Sequence, residues 1–254
     1  MAAVPLRICT CCPAPSMSSV VNGTKNDPSS SYDGLFLFIK AGSDAHQIGP
    51  CLHCQKIFMY MVAKGLEFSF SLVDMRKNQH KVKELSPGGK LPILAVYENG
   101  DPKLVKDGVV EIEQYLQKAN LGEDRIGDPE ADDLVTDVLT KFSAYIRNKD
   151  PQHDLKLKHN LYVKLEHINN YLVKTGTKFL SDDEELTLPD CALLPRLFHI
   201  VHACQGIKGV NVPAETTNLT ALWEYFKRGK ETKEFEVSQY DPSDVIAYWN
   251  DMRK

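Results

Sequence analysis

A chain of 254 residues and 28.6 kDa, with 43% hydrophobic and 25% charged residues, has globular composition and is long enough for one large domain or two small ones. Its formal net charge of −4, with no lysine or arginine stripe dominating any segment, argues against a nucleic-acid partner. Seven cysteines scattered from Cys9 to Cys204 are too sparse for a secreted disulfide scaffold, and MAAVPLRICTCC has no basic stretch ahead of an apolar run. A soluble chain in a reducing, cytoplasmic compartment is therefore expected, where a C-x-x-C serves redox or metal chemistry more often than a structural bridge.

Residues 1–33 hold Pro13, Pro15, Pro28 and six serines with little periodicity, which reads as a flexible leader. Its Cys9, Cys11 and Cys12 are either spare thiols or acylation sites. From Leu35 to Ile39 a short apolar run predicts a buried strand, and Cys51 to Lys64 predicts a helix with Ile57, Phe58, Met61 and Val62 on one face. Glu67 to Val73 alternates as a second strand, with Phe68, Phe70 and Leu72 on one side, and residues 77–85 form a short helix. Leu91 to Val96 and Lys103 to Val105 give two more strands, and Val109 to Lys118 a helix.

This β-α-β-α-β-β-α order over 34–120 is the thioredoxin arrangement, with Pro92 where that fold places a cis-proline. After a Gly/Asp/Pro linker, Gly122 to Pro129, residues 121–254 read as all helical: Leu134, Val138 and Phe142 recur at helical spacing, as do Leu161, Leu165 and Ile168. Thr187 and Asp190 form a capping-box variant, ahead of a helix whose apolar face carries Leu193, Leu197, Ile200, Val201 and Cys204 and which Pro195 is expected to kink. No run of 18 apolar residues marks a constitutive membrane span.

The chemical site is Cys51-Leu52-His53-Cys54 at the start of the first helix. A thiol there faces the positive end of the helix dipole, so Cys51 is the expected nucleophile, with a lowered pKa. Cys54, about one turn further on, is the resolving thiol, and a protonated His53 would add positive charge. A zinc site needs four ligands and no second pair has suitable spacing; two ordinary buried cysteines remain an alternative.

Several stretches together resemble the chloride intracellular channel (CLIC) family. They are Lys40-Ala41-Gly42-Ser43-Asp44, Ile48-Gly49, Cys51, Gln55, Phe58-Met59, Lys64-Gly65, Val73-Asp74, Pro87-Gly88-Gly89-Lys90-Leu91-Pro92, Lys141 to Ile146, and Leu186 to Pro195. The resemblance runs from about Leu35 to near the C-terminus. It implies a glutathione-transferase fold, α/β plus all-α: a thioredoxin-like N-terminal lobe, then an all-helical C-terminal lobe. It implies glutathione bound at Cys51, paired to the backbone at Leu91 beside Pro92, with Asp107 near the γ-glutamyl group. Leu52 and His53 replace the Pro-Phe of many family members, and Gly108 stands where a hydroxyl residue usually follows the acidic one.

The resemblance implies two activities: glutaredoxin-like reduction of glutathione or protein disulfides by a soluble monomer, and conditional insertion among membrane lipids as an oligomeric anion (chloride) channel. A catalytically silent redox-sensitive scaffold is the alternative. The family's proposed inserting segment matches Cys51 to Asp74, which carries Lys56, Lys64 and Glu67. Each charge at mid-membrane costs roughly 2.5–3.5 kcal/mol, so a pore needs Lys56 and Lys64 on one wet face. They lie about 80° apart around a helix, and neutralising both is expected to leave the soluble fold intact, as for lysines on a surface helix.

Overall fold

The computed structural model describes residues 33–254; the leader and its three cysteines lie outside the described residues. The chain divides into two compact units between Asp124 and Arg125.

In the first unit, β1 (Gly34–Lys40) is followed by α1 (Leu52–Ala63), β2 (Phe68–Val73), α2 (Met75–Leu85), β3 (Ile93–Glu98), β4 (Asp101–Asp107) and α3 (Val109–Lys118). The sheet order is β2-β1-β3-β4, with β1 and β2 parallel and the other pairs antiparallel. This is the thioredoxin-like order expected from the apolar runs. On one face Phe36, Phe38, Ile93, Ala95 and Tyr97 pack with Val82, Met75 and Leu85 of α2. Phe58 of α1 meets Phe68 and Phe70 edge-on at 5.2 and 5.1 Å, which accounts for their alternation along β2.

Differences from the expected elements have local causes. Pairing of β3 begins at Ile93, opposite both Phe38 and Asp107, because Pro92 has no N–H for a ladder. The strand β4 is longer than expected because Asn99 and Gly100, both with positive φ, close a tight hairpin ahead of it. α2 starts two residues early because the Asp74 side chain accepts from the Arg76 N–H at 3.0 Å. α1 is not one-faced: Ile57 through Val62 are all buried, as befits a helix that is apolar nearly all round.

The second unit is all helical: α4 (Pro129–Thr136), α5 (Val138–Arg147), α6 (Pro151–Thr175), α7 (Leu188–Ala203), α8 (Val212–Glu215), α9 (Thr220–Lys230), α10 (Lys233–Glu236) and α11 (Pro242–Asp251). The Leu134-Val138-Phe142 stripe spans two helices, α4 and α5, which meet at Asp137. The capping box forms: Thr187 and Asp190 close the N-terminus of α7 in both directions. α7 runs through Pro195 and passes into a π-turn over Cys204–Lys208. Inside this unit Trp249 Nε1 donates to His199 Nδ1 at 2.9 Å, so His199 Nε2 carries the proton and donates to the Tyr240 hydroxyl at 2.7 Å. His199 is therefore neutral, its pKa pushed down to about 3 mainly by burial.

Candidate functional site

The site grows from the end of the sheet where β1 stops and β3 starts. Lys40 ends β1, Pro92 precedes β3, and Asp107 ends β4 opposite Ile93. The chain then folds back on itself: Gly49 N–H donates to the Lys40 carbonyl at 2.8 Å, and Ala41 pairs with Ile48. Only glycine fits at 49, since a Cβ there would collide with the Ala41 carbonyl. This turn delivers Cys51 to the N-cap of α1, with extended backbone, its N–H on the Gly49 carbonyl at 2.7 Å and its own carbonyl accepting from Gln55. Cys54, one turn in, is fully buried, and its Sγ accepts from the Lys40 backbone N–H at 3.4 Å. That bond fastens the start of α1 to the end of β1.

The two cysteines are free thiols in unlike surroundings. Cys51 is half-buried, and its pKa is lowered to about 7. The largest cause is a hydrogen bond from the Cys54 thiol; burial opposes it, and the Cys54 and His53 backbone N–H groups and the Lys40 charge assist. Cys54 is pushed well above the ordinary thiol value by burial, then by its hydrogen bond and charge repulsion with Cys51. His53 contributes its main-chain N–H to the Cys51 sulfur, and its side chain is exposed. Lys40 adds a positive charge, and sequence reading left it out of the site because it looked like the polar end of a strand.

Rates of iodoacetamide alkylation should inflect near pH 7 and fall about tenfold per pH unit below it. At pH 7 about half of Cys51 is then thiolate, against about 3% for a thiol titrating at 8.5. An inflection at the free-thiol value would remove the nucleophile from the site.

At the other strands, Leu91–Pro92 is a cis peptide and Pro92 is buried. Its carbonyl accepts from Gly108 N–H at 3.1 Å, tying the start of β3 to the start of α3. Gly108 is the N-cap of α3 with φ 77° and ψ 156°, a conformation essentially reserved for glycine. The absent hydroxyl at 108 is thus matched to a backbone that a serine or threonine would strain. Asp107 accepts from the Ser86 hydroxyl, a contact between residues 21 apart that sequence reading missed.

Lys56 and Lys64 do not join this constellation. Lys56 Nζ lies 2.7 Å from Glu113 of α3, with both side chains about 15% exposed or less. Lys64 is 4% exposed; its ammonium donates to the Glu123 carbonyl and sits 5.5 Å from the Tyr60 ring centre. The expectation of two lysines on a surface helix is corrected: both are bound into the unit, because α1 is enclosed. Lys56→Gln should therefore lower stability by about 1–2 kcal/mol, leaving the partly buried Glu113 without its cation. Chemical denaturation measures this, and a change within about 0.5 kcal/mol would restore the surface-lysine reading.

A family model described as the CLIC-like N-terminal domain matches residues 33–122, the described part of the first unit almost in full. Mouse chloride intracellular channel protein 3 is 30% identical to the chain over 236 residues, covering 84% of the chain and 94% of the mouse protein. The chain belongs to the chloride intracellular channel family. The human form of the same CLIC protein is 29% identical over 236 residues, with the same coverage of each chain. Among solved structures, the CLIC homologue EXC-4 of C. elegans superposes with a TM-score of 0.73 at 23% identity, covering 91% of this CLIC chain and 86% of its own. Chlamydomonas reinhardtii dehydroascorbate reductase superposes with a TM-score of 0.74 at 21% identity, covering 87% and 99%. A glutathione S-transferase from the Antarctic clam Laternula elliptica matches with a TM-score of 0.63 at 16% identity, covering 85% and 94%. These three likenesses establish the glutathione-transferase fold for this CLIC chain. Among its described residues, no helix is long and apolar enough to cross a membrane.

Proposed function

We propose that this CLIC chain, as a soluble cytoplasmic protein, is a glutathione-dependent thiol–disulfide oxidoreductase acting through Cys51 and Cys54. The observation that carries the reading is the division of the thiol pair, one lowered to about 7 and the other held protonated beside it. Glutathione would lie along the Leu91–Pro92 backbone with its sulfur at Cys51, as the glutathione-transferase fold and the name of the clam structural neighbour suggest.

The Cys51 thiolate attacks one sulfur of a disulfide; a new S–S bond joins Cys51 to that half, and the other half leaves as a thiolate that takes a proton from water. With the Cys51 charge gone, two of the three effects that raise Cys54 vanish, its hydrogen bond to Cys51 and the charge repulsion. Cys54 can then lose its proton and attack Cys51, forming the Cys51–Cys54 disulfide and releasing the second half. The dithiol has given up two electrons, and two glutathione thiols restore it by becoming oxidised glutathione. Reduction of a small disulfide at the expense of glutathione, followed by coupled oxidation of NADPH through glutathione reductase, tests the reading. Turnover lost on alkylation of Cys51 supports it; no turnover above the uncatalysed rate refutes it.

Anion conduction after insertion is a second reading, favoured by the name of the curated relatives. Insertion of α1 would have to separate Lys56 from Glu113 and Lys64 from Glu123, and remove an enclosed helix from its core. It is thus a refolding of the first unit, and conductance in planar bilayers tests it.

A further inference from the structure

Where α5 ends at Arg147 and the chain leaves α11 after Asp251, the helical unit holds a cleft of about 720 Å³, within the size range of small-molecule sites. In a chain of net charge −4, its lining carries four cations, Arg147, Lys149, Arg253 and Lys254, and a single carboxylate, Asp150. That carboxylate is already engaged, accepting from Gln152 N–H at 2.9 Å and pairing with His153 at 2.7 Å. Lys254 pairs with Asp251 at 2.6 Å, whereas Lys149 is exposed and makes no ion pair among the described residues. The two guanidiniums are set by reciprocal cross-links: Arg147 Nε donates to the Met252 carbonyl at 3.2 Å, and Arg253 Nη2 lies 3.5 Å from the Asn148 carbonyl. Each link uses one of five N–H donors, so most of each fork is left for a ligand. Arg253 Nε is enclosed and meets no acceptor among the described residues, which is costly unless a ligand oxygen supplies one. The neighbouring Asp154 accepts instead from Lys208 Nζ and Asn148 Nδ2, both at 2.6 Å.

We propose that this cleft binds a polyphosphorylated alcohol, with Arg147 and Arg253 gripping its phosphate oxygens and Lys149 at the rim. Fixed cations gathered in one cleft repel one another, and an oxyanion among them turns that repulsion into attraction. A carboxylate brings one charge, whereas a phosphate monoester brings close to two near pH 7, which matches a pair of guanidiniums better. The same chemistry is carried by free inositol or sugar phosphates and by the headgroups of phosphorylated inositol lipids. The site lies wholly in the helical unit and stands apart from the thiol reading.

The test is isothermal titration of the full chain with inositol trisphosphate, alongside capture by phosphatidylcholine vesicles carrying phosphatidylinositol bisphosphate. The wild type should bind the trisphosphate saturably, with a Kd that rises as salt is added. Arg147→Gln and Arg253→Gln should each raise Kd about tenfold, the loss of one charge-assisted contact. Arg147→Lys should recover only part of this, because an ammonium keeps the charge and loses the fork. Lys149→Glu changes an exposed side chain, so it should raise Kd several-fold at an unchanged melting temperature, and it decides the matter if the arginine variants melt early. Lys227→Gln on α9, outside the cleft, should bind as wild type does. Vesicle capture that the trisphosphate displaces assigns the ligand to the lipid, and trisphosphate binding without vesicle capture assigns it to a free phosphate ester; either supports the site. The proposal is overturned by a lack of saturable binding, or by vesicle capture that the trisphosphate does not displace. It is equally overturned by an unmoved Kd in the folded arginine variants (in Lys149→Glu, should those melt early), or by an equal loss in Lys227→Gln, which would reduce the effect to general surface charge.

Discussion

Replacing Cys51 by serine is expected to abolish glutathione-linked reduction of a small disulfide, to the uncatalysed level. A serine hydroxyl at the N-cap of α1 is not ionised near pH 7 and cannot attack sulfur, so every step that starts at position 51 is lost. Cys54→Ser should behave differently. Its hydroxyl can still donate to the Cys51 sulfur, so the nucleophile keeps its low pKa and the monothiol route survives. The resolving thiol is gone, so a glutathione adduct on Cys51 should build up. Cys54→Ala removes the donor as well, and that donor is the largest cause of the lowered Cys51 pKa. Its alkylation profile should therefore move up towards the free-thiol value of about 8.5, and its rate at pH 7 should fall several-fold. Identical behaviour of Cys51→Ser and Cys54→Ser in the assay would cancel the assigned roles.

The largest stability effect is expected in the helical unit, at Asp190. This carboxylate is fully enclosed and accepts four hydrogen bonds: from Leu180 N–H at 2.9 Å, Thr187 N–H at 2.9 Å, the Thr187 hydroxyl at 2.7 Å and the Tyr225 hydroxyl at 3.0 Å. Asp190→Ala leaves those donors buried without their acceptor and removes half of the capping box of α7. Unsatisfied buried groups cost about 1–3 kcal/mol each and a lost cap about 1, with partial relaxation, so a loss of about 4 kcal/mol is expected. Against a total stability of roughly 5–15 kcal/mol this brings the unit close to unfolding and lowers its melting temperature by on the order of 15 °C. Asp190→Asn should fall between, since one amide oxygen replaces two carboxylate oxygens. Thermal melts of the full chain measure both, and a shift under about 3 °C for the alanine variant would show that water replaces the lost acceptor.

What the sequence made legible was local. The C-x-x-C spacing, the proline ahead of β3 and the Thr187–Asp190 pair each depend on residues a few positions apart. Strand and helix runs in the first unit were readable because apolar periodicity registers directly which face is covered. Asn99-Gly100 was an available hairpin signal, and taking it up would have lengthened β4 at once. The unread part is long-range. Ser86 meets Asp107 across 21 residues, Lys56 meets Glu113 across 57, and Asp190 reaches Tyr225 across 35. Ser86, Lys56, Glu113 and Tyr225 look like ordinary polar residues in their own segments, and only the packing brings each to its distant partner. The same cause misplaced Lys56 and Lys64: their charge suggested a wet face, whereas the enclosed α1 turns them onto Glu113 and the Glu123 carbonyl.

Mapping the adduct formed with oxidised glutathione tests the central claim most directly. The full chain, its Cys54→Ser variant and its Cys51→Ser variant are incubated at pH 7 and analysed by peptide mass spectrometry. A glutathione adduct confined to Cys51 in the Cys54→Ser variant, a Cys51–Cys54 disulfide in the wild type, and neither in Cys51→Ser is the predicted result. An adduct at Cys54, or modification of all thiols without preference for Cys51, would contradict the account.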